Sequence, residues 1–370
     1  MKIPRLSLLA RQFRMQIATL CVTAALPIAT PAGQFTDMVV FGDSLSDTGN
    51  LQAITTQLYQ WGYFPFPYPS NPQTPYYQGR FSSGPVWVEG LADRMGLPSQ
   101  TTAASGFSLG ATFGDFPVTA AGGNNYAVAA ARTATAGFFE QFGVPVPTGV
   151  QVQVAQFLEP RGGIAPGAET LYVMMAGGND IRHAAYLQRD KTLREAAATQ
   201  AARDYAKAIG QLADAGAKTI LVSNVNDIGK IPEAIQLGKG AAATAAARVF
   251  NAALPPLLAQ LEAEKGVRLI RLDLYNLFNA VYDDATLHGG ATYGLTNATV
   301  PCFAGYAGSP GADCAVSIFS DDIHPSESTH SILTRAVAAC RDGDGTFLAP
   351  PTGETPRADF SRFCQTRQSP

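Results

Sequence analysis

Five short apolar runs punctuate this chain of 370 residues, and the stretches between them are long enough to hold helices. They lie at 37–41, 125–129, 170–175, 218–223 and 267–272. The third, Thr-Leu-Tyr-Val-Met-Met, is apolar at nearly every position and is bounded by turn residues. A strand of that kind has both faces covered, as a central strand of a parallel sheet does. Alternation of such runs with helical segments predicts an α/β fold in one domain, a doubly wound parallel five-stranded sheet flanked by helices. Helices are expected at 83–96, 193–215, 241–265, 275–282 and 327–339. Ser83 is the expected N-cap of the first, and Pro255-Pro256 is expected to kink or split the third. A segment at 59–81 combines many aromatic residues with several prolines. It suits either a packed Ω-loop or an apolar wall over a ligand pocket.

The amino-terminal residues follow a different pattern. Lys2, Arg5, Arg11 and Arg14 precede any acidic residue, an apolar run follows at 15–29, and Thr30-Pro31-Ala32 offers small residues for cleavage. This is the layout of a secretory signal peptide over 1–32, and it predicts a secreted or periplasmic protein. Removing the four basic residues takes the formal net charge from −3 to −7. With no block of Lys or Arg, a nucleic-acid partner is not expected. The rest divides into a main domain at 33–345 and a tail at 346–370. Cys21 falls in the leader, so four cysteines remain: Cys302, Cys314, Cys340 and Cys364. An even number in an exported protein reads as two disulfides. Proximity favours Cys302 with Cys314 and Cys340 with Cys364, the second tying down the tail. The spacings are not those of zinc ligands. Asp342-Gly343-Asp344-Gly345 lacks the other positions of a calcium loop. No metal and no cofactor are expected.

The first apolar run ends in Gly42-Asp43-Ser44, at the strand edge where ligand sites of open α/β sheets lie. Gly106-Phe107-Ser108-Leu109-Gly110 competes with it, since it matches the G-x-S-x-G nucleophile elbow. That elbow requires a strand before and a helix after, and Ser108 has neither. For a base, His324 stands three residues after Asp321, so one turn can bring the carboxylate to its far ring nitrogen. Asn179, in Gly177-Gly178-Asn179-Asp180, follows the third apolar run and offers an amide toward the same edge. Acyl transfer needs such donors, because charge grows on the carbonyl oxygen in the transition state. Taken singly, each segment also has an ordinary turn or cap composition.

Together these segments resemble the GDSL esterase/lipase group of the SGNH hydrolase superfamily. The matching blocks are Phe41 to Asn50, Gly122 to Val128, Gly177 to Asp180 and Asp321 to Pro325, in the family's order. The segments at 79–88 and 227–232 also look like the family's, the latter as a loop edging the pocket. The resemblance implies a flavodoxin-like three-layer sandwich and a carboxylic ester hydrolase. Ser44 would be the nucleophile, His324 the general base and then acid, and Asp321 its orienting partner. The oxyanion hole would combine the Ser44 backbone N–H, the Asn179 amide and a backbone N–H at Ala130, where the family usually has Gly. Ala130 serves if its φ is negative, and Ala129 is the alternative.

The expected substrate is a small-molecule or lipid ester, cleaved through an acyl-enzyme on Ser44. A lysophospholipase or lipid acyltransferase, a carbohydrate deacetylase, and an inactive binding protein on the same scaffold are the alternatives. About 46 residues follow His324, too few for a membrane-spanning β-barrel, so a monomer without a stable membrane anchor is expected.

Overall fold

The computed structural model describes residues 35–69, 75–97, 107–108, 117–118, 122–142, 147–340 and 358–365. The expected signal peptide, Cys21 and the Asp342–Gly345 turn lie outside them. The sheet is built from β1 (Asp37–Gly42), β2 (Thr170–Met175), β3 (Thr219–Ser223) and β4 (Arg268–Leu272), all mutually parallel in that order. Every residue of β2 is buried, the reason its sequence is apolar at both odd and even positions.

Two details of the expected sheet are corrected. The run at 125–129 is not a regular strand, although it lies parallel beside β1. Val40 N–H donates to Asn124 O, and Tyr126 and Val128 N–H donate to Val40 O and Gly42 O. Only Val40 and Asn125 form a bridge. The fifth strand is instead β5 (Cys364–Gln365), which runs antiparallel to β4 and comes from the tail.

The helices are α1 (Asn50–Gln60), α2 (Trp87–Met95), α3 (Val150–Leu158), α4 (Gly178–Leu187), α5 (Lys191–Asp214), α6 (Pro232–Gln236), α7 (Gly240–Lys265), α8 (Leu274–Leu287) and α9 (Glu327–Ala338). Of these, α3, α4, α5 and α7 pack on one another, while α2 pairs with α9. Helix α7 is not split by Pro255 and Pro256. Its buried stripe of Ala246, Phe250, Leu254 and Leu258 continues through them and offsets the lost backbone donors. Helix α2 starts three residues later than expected, with Val86 and not Ser83 at its N-cap. Ser83 Oγ instead accepts from Glu327 N–H at 3.0 Å and so secures the start of α9, while the Glu89 carboxylate takes the Val86 N–H at 2.8 Å. Disulfides join Cys302 to Cys314 and Cys340 to Cys364. Among the described residues, no helix is long and apolar enough to cross a membrane.

Candidate active site

The carboxyl ends of β1 and β2 set two of the expected residues side by side. At Gly42 the chain leaves β1 with φ +155°, and a Cβ there would sit 2.4 Å from Met175 O, so only glycine fits against β2. Buried Gln153 on α3 holds both backbone groups of Gly42. Its Oε1 accepts from Gly42 N–H at 2.9 Å, and its Nε2 donates to Gly42 O at 2.9 Å. Two residues on stands Ser44, 6% exposed. The rest of this block interlocks with the 124–129 segment. Asp47 caps α1 through the N–H groups of Gly49, Asn50 and Leu51, and it also takes Ala129 N–H at 2.8 Å. Asn50 and Asn125 cross-link the two segments through buried amide bonds.

His324 and Asp321 arrive on a loop before α9. The Asp321 carboxylate folds back on its own turn, Oδ1 accepting from Ile323 and His324 N–H at 2.7 and 2.6 Å. Its Oδ2 lies 2.7 Å from His324 Nδ1, and His324 Nε2 lies 2.9 Å from Ser44 Oγ. A carboxylate at Nδ1 fixes that nitrogen as the donor, leaving Nε2 free to accept the serine proton. Burial alone would raise the Asp321 pKa. The His324 ring, the Tyr76 hydroxyl and the backbone donor outweigh it and hold the carboxyl below the usual range. Burial does prevail at Asp43, which is pushed up to about 6.

Asn179 sits in the first turn of α4. Its Nδ2 donates to Ala131 O at 3.1 Å, its second amide hydrogen meets no acceptor among the described residues, and its Oδ1 accepts from Arg182 at 3.3 Å. Arg182 is itself gripped by Glu233 through two bonds of 2.6 and 2.8 Å. The loop after Val128 is clamped at both ends, by Asp47 at Ala129 and by Asp180, which takes Thr133 N–H and Oγ–H at 3.0 Å. Ala129 N–H is therefore occupied and drops out as an oxyanion donor. Ala130 has φ +60°, so the negative φ on which its role was made conditional is not met, and its candidacy rests on an N–H that is left open. It keeps the left-handed backbone that glycine adopts without strain, at about 1–2 kcal/mol for an alanine. Among the described residues no acceptor meets its N–H.

Ser108 lies in a two-residue antiparallel ladder opposite Pro117, outside the main sheet. An apolar cleft opens beside Ser44, Asn179 and His324, lined by Leu45, Ile228, Leu277, Phe278, Ile323 and Leu333 among others. The 227–232 loop does edge it, through Ile228 and Ile231. The described part of the aromatic segment 59–81 does not line it. Tyr68 packs with Phe81 and with Phe138, Phe64 also meets Phe138, Phe81 lies 4.9 Å from the His324 ring, and the Tyr76 hydroxyl donates to Asp321 Oδ2. Sequence reading missed Gln153, Arg182 and Tyr76. Only Tyr76 carried a signal, its place among clustered aromatics. Among the described residues no cluster of His, Cys, Asp and Glu suits a metal ion.

A profile of the GDSL-like lipase/acylhydrolase family matches residues 38–337. The chain is 28% identical over 314 residues to a phosphatidylcholine-sterol acyltransferase of Aeromonas hydrophila, covering 82% of this chain and 78% of that one. It is 27% identical over 316 residues to a thermolabile hemolysin of Vibrio parahaemolyticus, covering 80% of this chain and 62% of the hemolysin's length. A solved carbohydrate acetylesterase from Sinorhizobium meliloti aligns over 81% of this chain and 95% of its own, with a TM-score of 0.38 and 15% identity. With the profile spanning nearly the whole described fold, the chain belongs to the GDSL lipase/acylhydrolase family and is a carboxylic ester hydrolase.

Proposed function

We propose that the protein cleaves esters with apolar acyl chains through an acyl-enzyme on Ser44. The observation that carries this reading is the unbroken line from Asp321 Oδ2 through His324 to Ser44 Oγ, at 2.7 and 2.9 Å. Ser44 Oγ attacks the ester carbonyl carbon while its proton passes to His324 Nε2. The carbonyl oxygen becomes an oxyanion, held by the N–H groups of Ser44 and Ala130 and by the second amide hydrogen of Asn179. The C–O bond to the alcohol then breaks, and His324 returns the proton to the leaving oxygen. Water, deprotonated by the same Nε2, attacks the acyl carbon; the bond to Ser44 Oγ then breaks, His324 returns the proton to Oγ, and the carboxylic acid leaves.

The apolar cleft beside Ser44 supports an alkyl chain over an acetyl group. A lipid alcohol in place of water would make the same acyl-enzyme a transferase intermediate, a variant favoured by the likeness to an enzyme named as a phosphatidylcholine-sterol acyltransferase. The two disulfides fit export behind a signal peptide at 1–32. The test is a panel of p-nitrophenyl esters from acetyl to long acyl, run with and without a sterol or glycerol acceptor. We expect turnover to rise beyond acetyl and to vanish in Ser44→Ala. Fastest turnover of acetyl esters would favour a deacetylase, and turnover undiminished in Ser44→Ala would refute the site.

A further inference from the structure

The reading of Ser44, His324 and Asp321 leaves one contact without a role. Asp321 is 1% exposed, and a buried carboxylate needs partners for all of its lone pairs. Its own turn supplies Ile323 and His324 N–H to Oδ1, and the His324 ring supplies one partner to Oδ2. The remaining position on Oδ2 is filled by the Tyr76 hydroxyl, from a residue 245 positions away in the chain.

That hydroxyl is held from several sides. The Tyr76 ring packs 5.4 Å from Phe81 and 5.4 Å from Phe303, and the Tyr306 ring lies edge-on to it at 6.2 Å. Phe303 and Tyr306 belong to the loop closed by Cys302 and Cys314. Backbone bonds tie that loop to the catalytic segment, Cys302 N–H to Phe319 O and Phe303 N–H to Ser320 O. Phe81, from the same aromatic segment as Tyr76, packs its ring against His324. One segment therefore touches both members of the Asp–His pair.

We propose that Tyr76 is a positioning residue for Asp321 and, through it, sets the basicity of His324. A donor on Oδ2 draws density from the carboxylate and weakens its hold on the imidazolium. It also fixes the carboxylate plane so that Oδ2 faces Nδ1. The phenol is well suited to remain a donor, since burial and the adjacent carboxylate raise its pKa. The other titratable groups around the pair are Asp43 on the β1 turn, Asp322 next in the loop, His330 on α9, and Tyr68 and Tyr306 above it. Arg182 and Glu233 lie behind them.

The inference rests on the Ser44 reading, and its test separates the two. In Tyr76→Phe the ring packing stays and only the donor is lost. The acid limb of the kcat/KM profile should then move up by about 0.5–1 pH unit, because the bare Oδ2 stabilises protonated His324 more strongly. The loosened carboxylate should lower kcat by about 3- to 30-fold, with KM within about twofold. The proton between His324 Nδ1 and Asp321 should also shift its far-downfield NMR resonance. An unmoved profile and resonance, or a change confined to KM, would overturn the proposal while Ser44→Ala stayed inactive. Activity retained in Ser44→Ala would instead remove the reading beneath it. Should Tyr76→Phe fold poorly, the resonance in Phe303→Leu, which loosens the packing behind the Tyr76 ring, decides. A smaller shift in the same direction supports the role, and no shift overturns it.

Discussion

The two halves of the site are held by different kinds of structure. Ser44 and Asn179 stand at the ends of β1 and β2, whose register is fixed by parallel pairing from Asp37 with Thr170 to Gly42 with Met175. Asp321 and His324 stand on a loop with no strand beneath them. They are positioned by Asp321 binding its own turn, by Tyr76, and by a disulfide-closed loop resting on the same segment. A sheet edge places a nucleophile through long-range burial that is hard to disturb locally. The acid–base half depends on a few polar contacts and aromatic packing, each removable by one substitution. The two halves should therefore fail differently.

On the sheet side, Asn179→Ala removes an amide donor without touching β2. We expect kcat to fall by about 10²- to 10³-fold with little change in thermal stability. A loss under tenfold would mean that the Ser44 and Ala130 N–H groups suffice. On the loop side, the two disulfides give a matched pair, closing spans of 12 and 24 residues. Replacing either pair by alanines should cost about 2–4 kcal/mol of stability. Only the loss of Cys302–Cys314 should also slow the folded enzyme, because Phe303 and Tyr306 back Tyr76. If removing Cys340–Cys364 slows the reaction equally, the contrast between the halves is wrong.

His330 adds a pH test between the halves. It is 1% exposed on α9, its Nδ1 accepts from Trp87 N–H at 3.3 Å, and burial lowers its pKa to about 3. The folded protein refuses a proton that the unfolded chain takes near 6.5, so the stability linked to this group is complete above 6.5. It is lost as pH falls toward 3, on the order of 3 kcal/mol by pH 4. His330→Gln should flatten the stability profile between pH 7 and 4 in chemical denaturation, and an unchanged slope would contradict the assignment. The smallest effect belongs to Ala130→Gly. Glycine adopts φ +60° freely, so folding stability should rise by less than about 1 kcal/mol, part of the relief being offset by the freer unfolded chain. A fall in stability would mean that the Ala130 methyl packs usefully.

The same contrast explains what could be read from sequence. The strands β1 to β3 were visible because burial on both faces writes itself as apolar runs, and β4 because Leu269, Ile270 and Leu272 are buried beside two half-buried arginines. Ser44 and Asn179 became candidates because those runs stop at them, and Asp321 and His324 because three residues of spacing can bring them together within one turn. Each had an ordinary turn or cap reading, and it was the resemblance of the combined blocks to the family that singled them out. Tyr76 was not visible, because nothing local encodes a bond to a residue 245 positions away. The start of α2 was misread since Ser83 had two helices to serve and secures the distant one. Strand β5 has two residues and leaves no periodicity to find; the disulfide at Cys364 and pairing with Leu272 bring it to the sheet. The 125–129 run was read as a strand from its apolar residues. Its Asn125 binds the Ser44 block through Ser46 O, and its ladder ends early.

The most direct test of the account is covalent. A fluorophosphonate reacts only with a serine whose hydroxyl is activated and flanked by an oxyanion hole, and peptide mapping then reports which serine carries the adduct. The account predicts a single adduct on Ser44, formed in the wild type and abolished in His324→Ala. An adduct on Ser108, or labelling of Ser44 that survives the loss of His324, would contradict it.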